Sequence, residues 1–375
     1  MKVLSLFANI GVAEAYLNEV GFDVVLANEL LPRRAKLYES IYPHSKMICG
    51  SILDKDIQHT ILSNAKQLGV EVIIATPPCQ GVSRAGKRLE KDVRNSLILP
   101  VLDFINELHP KYVMIENVPQ FMDAEIEVDG RLVLLPEYIR TRVSGEYEIK
   151  TKIINTCDYS VPQKRLRTIF LLSHKGQPIW DFPPKDQSIV TLENAIGDLP
   201  SLDPFVSDVS EEELLSMFPD YYKKKHNATM VSPWHRPPSH IKRQVVTMIH
   251  TPTGKTAFDN QKYIPVKKDG SPVSGYKSTY RRLRWTSPAS TVTMDNRKIS
   301  SQNNVHPGKY IGLDDEGEIL YSDPRALTLF ELMRVMSLPD NWSLPCDVNE
   351  AFVRSVIGEG IPPLFVKKLF SMIKG

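Results

Sequence analysis

The sequence has few cysteines, no long apolar run and no complete glycine-rich nucleotide fingerprint. Its 375 residues include four cysteines with no C-x-x-C spacing. This scarcity argues against a disulfide framework and a cysteine-based zinc site, so we expect no bound metal and a reducing, cytoplasmic environment. No apolar stretch approaches the roughly 20 residues that span a bilayer, and we expect no membrane partner. The turn after the first predicted strand contains Gly11 without a full G-x-G-x-x-G pattern, which disfavours a nicotinamide-dependent enzyme.

The charge of the chain is distributed unevenly, although its net value is only +2. Residues 223–298 include 16 Lys and Arg but three acids, so the rest of the chain is net acidic. Aromatic residues such as Trp234, Tyr280 and Trp285 are interspersed there. A basic surface with aromatic rings suits a polyanion such as nucleic acid. A solvated basic surface without a ligand is the alternative interpretation.

Short apolar runs alternate with helical patterns over roughly the first 175 residues. The runs that predict strands are 3–7, 22–28, 47–48, 70–75, 112–115, 148–155 and 168–172, and the helical patterns are 12–20, 32–42, 57–68 and 97–108. This alternation predicts a doubly wound α/β domain. Prolines, glycines and serines recur from 176 to 307, which predicts a smaller domain of loops and short strands. Helices are predicted again at 323–338 and 364–373.

The stretch 73–83 is the most informative part of the chain. A β-branched apolar run ends there in Pro77, Pro78 and Cys79. Ligands of open α/β sheets bind beyond the carboxyl ends of the strands, and two prolines stiffen such a loop. Cys79 is therefore a candidate nucleophile, although a lone cysteine is more often a small buried hydrophobic residue.

Five groups of residues occur in a fixed order and together resemble the DNA (cytosine-5-)-methyltransferase family. They are the cofactor elements 7–11, Glu29 and 358–363, the triplet Pro78-Cys79-Gln80, the triplet Glu116-Asn117-Val118, the segment Gln163-Lys-Arg165-Leu-Arg167, and 325–331 with 334–340. The resemblance covers nearly the whole chain, apart from about 176–280. It implies a Rossmann-like S-adenosylmethionine-dependent methyltransferase domain, 1–188 with 350–375, and a smaller, irregular target-recognition domain with a hinge, 189–349.

The resemblance also implies a chemistry for these residues. Cytosine C5 is a poor nucleophile, so the Cys79 thiolate would add to C6 of a base flipped out of the duplex. Glu116 would share a proton with N3 of the ring. Arg165 and Arg167 would hold the base, one of them bonding its O2 and supporting Glu116. Alternatively, Glu116 caps a helix and the two arginines form surface ion pairs.

The resemblance assigns S-adenosylmethionine to a set of residues on the first strands and the last motif. The set is Phe7, Asn9, Gly11, Glu29, Leu30, Ile52, Pro78, Leu97 and Glu359. Glu29 would bind the ribose hydroxyls. The chain departs from the family pattern at Asn9, where glycine is usual, at Ser51, where aspartate is common, and at Glu359, where asparagine is common. Asparagine tolerates positive φ, so the first change is compatible with the turn.

Double-stranded DNA is the expected partner. The predicted contacts beyond the catalytic set are Gln80, Ser83, Arg84, Asn117, Gln163, Arg281, Arg282 and Arg284, with Lys223, Lys224, Lys225 and His226 as a further basic cluster. Residues 81–94 would close over the DNA. The expectation is a monomeric bacterial or phage enzyme that acts beside a restriction endonuclease.

Two alternatives stay open on the sequence alone. Some relatives with these motifs modify tRNA, so the substrate could be RNA. A catalytically silent DNA-binding relative, or a partner subunit, would retain the basic segment and lose dependence on Cys79.

Overall fold

Seven strands form one mixed sheet in the computed structural model, which describes residues 1–78, 97–128 and 130–373. The strands are β1 (Lys2–Leu6), β2 (Asp23–Glu29), β3 (Lys46–Cys49), β4 (Val72–Ala75), β5 (Tyr112–Asn117), β8 (Tyr147–Asn155) and β9 (Leu166–His174). Their order across the sheet is β3-β2-β1-β4-β5-β9-β8. The first five strands are parallel, whereas β9 runs antiparallel to both neighbours. The doubly wound α/β prediction is confirmed, and the topological switch lies between β1 and β4.

Helices cover both faces of this sheet because successive strand residues point to opposite sides. Ile73 of β4 packs on the face covered by α2 (Lys55–Leu68), α3 (Ile98–Leu108) and α4 (Leu135–Val143). Ile74 packs on the other face, where the carboxyl-terminal helix α11 (Pro363–Phe370) lies. The last helix therefore completes the core that the first strands begin. A further helix, α1 (Pro32–Ile41), follows β2.

The chain between the sheet and the last helices contains more helix than expected. It forms α5 (Leu192–Ile196), α6 (Glu211–Met217), α7 (Tyr221–Val231) and α8 (Lys242–Ile249), with the two-stranded pairs β10–β11 (Phe205–Val206, Ser239–His240) and β12–β13 (Tyr310–Leu313, Ile319–Tyr321). A separate apolar cluster that includes Leu214, Val245 and Val305 holds this part together. Most of 176–307 lies outside helices and strands, as predicted, but the four helices were missed. Three of them, α5, α6 and α8, have at most eight residues, too short for a clear apolar period.

The predicted helix 323–338 is shorter than expected. Helix α9 spans Leu329–Val335, because Thr328 is its N-cap and Glu331 completes a capping box with it. Asp323 has a φ of 50°, which is not helical. The T-x-x-E spacing of a capping box is readable in the sequence and marks the true start. A helix not predicted, α10 (Glu350–Ile357), follows before Gly358.

Two other segments of the first domain also differ from the prediction. Residues 12–20 are not one α-helix: bonds from Glu14 N to Gly11 O and from Leu17 N to Glu14 O join residues three apart, and only Leu17–Val20 is a 3₁₀ helix. Before α4, the strands β6 (Glu125–Val128) and β7 (Arg131–Leu134) form a hairpin that was not predicted.

Candidate active site

The candidate active site is a cavity of about 340 Å³ at the carboxyl edge of the parallel strands. Loops after β1 and β4, the end of β2 and the end of β5 reach this edge. Because β9 is antiparallel, its first residues lie at the same edge, and Asn117 of β5 pairs with Thr168 of β9. The segments 291–294 and 358–361 close the cavity from the carboxyl-terminal half. Topology thus brings together motifs that are far apart in the chain.

Glu116 and Arg167 form an ion pair inside this cavity. Arg167 Nε lies 2.6 Å from Glu116 Oε1, and the two side chains are 13% and 8% exposed. The contact is not an aligned hydrogen bond, since Glu116 Oε1 is buried without a hydrogen-bond partner among the described residues. The arginine therefore supplies charge to Glu116 without an aligned hydrogen bond to that oxygen.

Arg165 is buried and engaged by the backbone of the surrounding walls. Its Nη1 donates to Val292 O at 3.1 Å, and its Nη2 donates to Gly358 O at 2.9 Å and Glu359 O at 3.1 Å. Burial lowers the pKa of Arg165 well below its ordinary value, and the neighbouring Arg167 charge adds to this. Of the two predicted base-holding arginines, Arg167 faces Glu116, whereas Arg165 joins two walls of the cavity.

Asn117 and Gln163 were predicted to contact the substrate, but their amides bind other parts of the protein. Asn117 Nδ2 donates to Pro77 O at 3.1 Å and so ties the end of β5 to the loop after β4. Gln163 is fully buried, and its Oε1 accepts from Val292 N at 3.1 Å. Their polar atoms are thus satisfied internally, although Asn117 lines the cavity, and their predicted substrate contacts stay predictions.

Five predicted cofactor residues line the cavity, namely Phe7, Asn9, Glu29, Pro78 and Glu359. Phe7 and Asn9 have φ of 60° and 52°. Glu29 accepts from Asn9 N at 3.0 Å and from Leu31 N at 2.9 Å, which fixes its carboxylate at the end of β2. Glu359 faces Asn9 from the 358–361 segment. Positive φ at a non-glycine residue is tolerated where the surrounding structure requires it, often at a binding site.

The other predicted cofactor residues lie outside the lining of this cavity. Gly11 supports the turn instead: a Cβ there would lie 2.1 Å from the Tyr42 ring. Ile52 belongs to the apolar core, and Leu97 packs against that core. Leu30 is 58% exposed beside the cavity. Their predicted contacts with the cofactor stay predictions.

The residues present fit a nucleoside-type cofactor such as S-adenosylmethionine. Beside the fixed Glu29 carboxylate, the cavity wall carries polar atoms that are buried without a hydrogen-bond partner in the described part of the chain, namely Asn9 Oδ1, Arg34 Nε, Glu116 Oε1 and Arg165 Nε. Such atoms are rare in folded proteins, and a bound group would complete their hydrogen bonding. Arg34 carries no motif and was not predicted; only the fold brings helix α1 to this wall.

Four predicted site residues, Cys79, Gln80, Ser83 and Arg84, lie outside the described residues. Pro77 and Pro78, which precede them in the chain, line the cavity. The predicted roles of these four residues stay predictions.

The three predicted DNA-contacting arginines near 282 have different environments. Arg282 is fully buried: its Nη2 donates to Met248 O at 2.8 Å and its Nη1 donates to His306 O at 2.8 Å. Burial lowers its pKa to about 9. Arg284 is exposed and Arg281 is partly exposed. The prediction of a DNA contact is therefore corrected for Arg282, whose donors are consumed by carbonyl groups.

Two observations outside the cavity bear on possible partners. Among the described residues, one group, His109, Glu146 and His174, brings three potential metal ligands within 4.8 Å of one another. It lies at the opposite edge of the sheet, since Tyr112 starts β5 there and pairs with Ser173. Within the described ranges, no helix combines the length and apolar character needed to cross a bilayer.

Comparison with known proteins is consistent with this geometry. The model of the C-5 cytosine-specific DNA methylase family matches residues 1–375. A Type II methyltransferase of Avibacterium volantium, M1.HgaI, is 42% identical over 98% of this chain and 96% of its own length. M.XorII of Xanthomonas oryzae pv. oryzae is 27% identical over 99% of this chain and 84% of its own.

A solved structure shares the fold. It is an Escherichia coli prophage protein described as a DNA modification methyltransferase, with a TM-score of 0.68 and 21% identity, and the match covers 99% of this chain and 98% of that one. The whole-chain family match and the 42% identical relative together decide the assignment. The chain belongs to the C-5 cytosine-specific DNA methylase family and is a DNA cytosine-5-methyltransferase.

Proposed function

We propose that the protein transfers a methyl group from S-adenosylmethionine to C5 of a cytosine in one short sequence of double-stranded DNA, through a covalent bond between Cys79 and C6. The observation that carries the proposal is the Glu116–Arg167 pair, which faces the cavity beside the loop that leads to Cys79. Duplex stacking shields C5 and C6, so the cytosine has to leave the helix to reach this cavity.

Cys79 and Glu116 divide the work of activating the ring. The Cys79 thiolate adds to C6, which raises the electron density at C5. Glu116 shares its proton with N3, so that charge does not accumulate on the ring. After C5 has gained the methyl group, loss of the C5 proton and expulsion of the thiolate regenerate the aromatic ring and release 5-methylcytosine.

Arg167 keeps Glu116 in place and contributes positive charge next to the base. The ion pair orients the carboxyl group, while the buried Glu116 Oε1 remains free of hydrogen bonds within the described residues. A preorganised charge among largely buried side chains stabilises developing negative charge on O2 of the pyrimidine. Arg165 supports this arrangement indirectly, because it fixes the carbonyl groups of Val292 and Gly358.

The cofactor is held by the first two strands and the 358–361 segment. Glu29 accepts the ribose hydroxyls, Phe7 and Pro78 provide apolar surface, and Asn9 and Glu359 contribute polar atoms on the same wall. When bound, S-adenosylmethionine supplies an electrophilic methyl group.

DNA is held by the basic stretch between 223 and 298. Arg284 and Arg281 are exposed or partly exposed there, and Lys223, Lys225 and His226 follow the start of α7. Phosphate contacts from such side chains position the duplex, and base-edge contacts specify the sequence. We assign Gln80, Ser83 and Arg84 to the loop that closes over the flipped base. The Type II methyltransferase names of the relatives support a protective role beside a restriction endonuclease. We propose that the enzyme acts as a monomer.

The test is bisulfite sequencing of DNA from a host that lacks cytosine methylation. Wild type is expected to protect cytosines in one short context, and Cys79→Ala is expected to abolish protection. Cys49→Ala, at an exposed cysteine, is the matched control and should retain protection. Protection that survives Cys79→Ala would remove the covalent mechanism. If folded wild-type protein methylates tRNA and not DNA, the proposed DNA substrate is wrong and the substrate is RNA.

A further inference from the structure

Three polar side chains from separate elements meet on one wall of the cavity. Arg34 of α1 donates from Nη1 and Nη2 to the two oxygens of Glu359, both at 2.8 Å. Asn9, in the turn after β1, directs Nδ2 at Glu359 Oε2 at 3.5 Å and at Val356 O at 3.2 Å. Two of the three, Asn9 and Glu359, are positions where this chain departs from the family pattern. The departures are thus not independent, because they contact each other.

This triad, Asn9 with Arg34 and Glu359, has unused hydrogen-bonding capacity towards the cavity. Asn9 Oδ1 and Arg34 Nε are buried without a hydrogen-bond partner among the described residues. The side chains of Arg34 and Glu359 are still 18% and 26% exposed, and all three residues line the cavity. Glu359 Oε1 accepts only from Arg34 Nη2 among the described residues and so retains a lone pair, and a guanidinium bound through two nitrogens retains further N–H groups. The triad therefore offers both acceptors and donors to a ligand.

The position of the triad relative to Glu29 indicates which part of a ligand reaches it. Asn9 donates its backbone N–H to Glu29 Oε2 and its side-chain N–H to Glu359 Oε2. Glu29 and Glu359 therefore both contact Asn9. In a molecule whose ribose lies on Glu29, the group attached to the ribose would lie beside the triad.

On the basis of the proposed function, we propose that Asn9, Arg34 and Glu359 form a charge-matched receptor for the α-amino acid end of the cofactor. The α-ammonium group donates to Asn9 Oδ1 and to the Glu359 carboxylate. The α-carboxylate accepts from the Arg34 guanidinium. The positive end of the amino acid group thus lies against Glu359 and its negative end lies against Arg34. Each charge therefore has a partner in a partly desolvated site.

A purely structural role for the ion pair predicts a different result. Arg34 lies on α1 and Glu359 lies on the segment before α11, so the pair also joins two distant parts of the chain. If the pair is only a latch, a contact that holds these two parts together, it stabilises the whole pocket. Its loss would then weaken the binding of every nucleoside ligand alike. As a receptor, its loss weakens only ligands that carry the amino acid end.

The experiment is calorimetric titration of the full chain with S-adenosylhomocysteine, its decarboxylated analogue and 5′-methylthioadenosine, which lacks the amino acid end. For Glu359→Gln and Arg34→Gln we expect about 10- to 100-fold weaker binding of S-adenosylhomocysteine, the range for one charged hydrogen bond. Binding of 5′-methylthioadenosine should change by less than about twofold. In Arg34→Gln, the decarboxylated analogue should bind nearly as well as S-adenosylhomocysteine, because the carboxylate has lost its partner.

Arg33→Gln is the matched control, since Arg33 is exposed and its guanidinium lies 4.0 Å from the Phe352 ring centroid. It should leave all three affinities unchanged. Equal loss for all three ligands in the triad variants, with a lower melting temperature, would overturn the receptor and leave the latch. Should Arg34→Gln fail to fold, Arg34→Lys is the second variant: it keeps the charge but not the two-nitrogen geometry, so a smaller loss is expected, again confined to ligands that carry the carboxylate. Wild type that binds none of the nucleosides would instead refute the proposed cofactor.

Discussion

Two arginine–carboxylate pairs in this protein differ in how fully their hydrogen bonds are satisfied. Arg325 donates to both oxygens of Glu331 at 2.8 and 2.9 Å and to Asp323 at 3.1 Å, and all three residues are buried. Arg167 approaches Glu116 through Nε, and Glu116 Oε1 has no hydrogen-bond partner in the described ranges. The satisfied network joins parts of the fold, whereas the less complete pair lines the cavity of the candidate active site.

The surroundings of the two pairs sharpen this contrast. Burial alone would raise the pKa of Glu331, but the charges of Arg325 and His306 lower it to about 2. Glu331 also caps helix α9 through its bond from Thr328 N at 2.7 Å. Every oxygen of this carboxylate therefore has a structural role. The Glu116 side chain instead lines a cavity, so its role is exercised on a ligand.

The largest effect is expected for Glu116→Gln on catalysis. The amide cannot supply the proton that we assign to Glu116, so kcat should fall by about 10²- to 10⁴-fold, the range for general acid–base catalysis. Single-turnover methylation assays measure the rate of methyl transfer, and urea unfolding measures stability, so a catalytic loss is distinguished from a loss of folding. Glu107→Gln, which removes a carboxylate from an exposed pair with Lys66, is the control. Activity within tenfold of wild type would contradict the assignment of Glu116.

The next effect concerns stability and the satisfied network. Arg325→Met leaves Glu331 and Asp323 without their buried partner, which should cost about 3–5 kcal/mol of unfolding free energy. Arg334→Met, which removes pairs with the exposed Asp198 and Asp340, should cost about 1 kcal/mol or less. Urea titrations of both variants decide the comparison. A smaller loss for Arg325→Met than for Arg334→Met would show that the network does not stabilise the fold.

Two groups of buried side chains should make stability depend on pH in opposite directions. Between β1 and β2, burial raises the pKa of Glu14 from 4.5 to about 7, although hydrogen bonds with Ser5 and Tyr38 act to lower it. The folded state then keeps a proton that the unfolded state loses, so this group's contribution falls as pH rises from about 4.5 to 7. Close to Arg325, burial lowers the pKa of His240 and of His306 to about 4, and the Arg325 charge acts in the same direction. Their contribution rises with pH from about 4 to 6.5.

Because these contributions oppose each other, the test is a difference between variants. The unfolding free energy of Glu14→Gln relative to wild type should increase between pH 4.5 and 7.5 by on the order of 3 kcal/mol. Urea unfolding of both proteins at several pH values measures this difference, with Glu107→Gln as the exposed control. Parallel stability curves would mean that Glu14 is not held protonated.

Residues at strand ends were the part of the fold and site that the sequence could predict. Glu116 and Glu29 follow apolar runs, and the carboxyl ends of parallel strands meet at one edge. The helices α5, α6 and α8 were not predictable, because five to eight residues give little periodicity. Arg34 was not predictable either, since its relation to Glu359 depends on how α1 and the 358–361 segment meet.

Arg282 illustrates a second limit of sequence patterns. Arginine is rarely fully buried unless it is paired, so a run of basic residues predicts exposed charge. Here the backbone carbonyl groups of Met248, His306 and Ser322 accept from Arg282. Nothing in the local sequence distinguishes it from Arg284, because only tertiary packing positions those carbonyl groups.

These two arginines give the smallest and most selective prediction. Arg284→Met should weaken DNA binding several-fold and reduce the slope of log affinity against log salt by about one, because one phosphate contact is lost. Arg282→Met should lower unfolding free energy, since several buried carbonyl groups lose their donor, while its salt slope in the folded state stays unchanged. Fluorescence anisotropy with a labelled duplex at several salt concentrations measures the slopes. An unchanged slope for Arg284→Met would place the phosphate contacts elsewhere on the basic segment, and a reduced slope for Arg282→Met would contradict its burial.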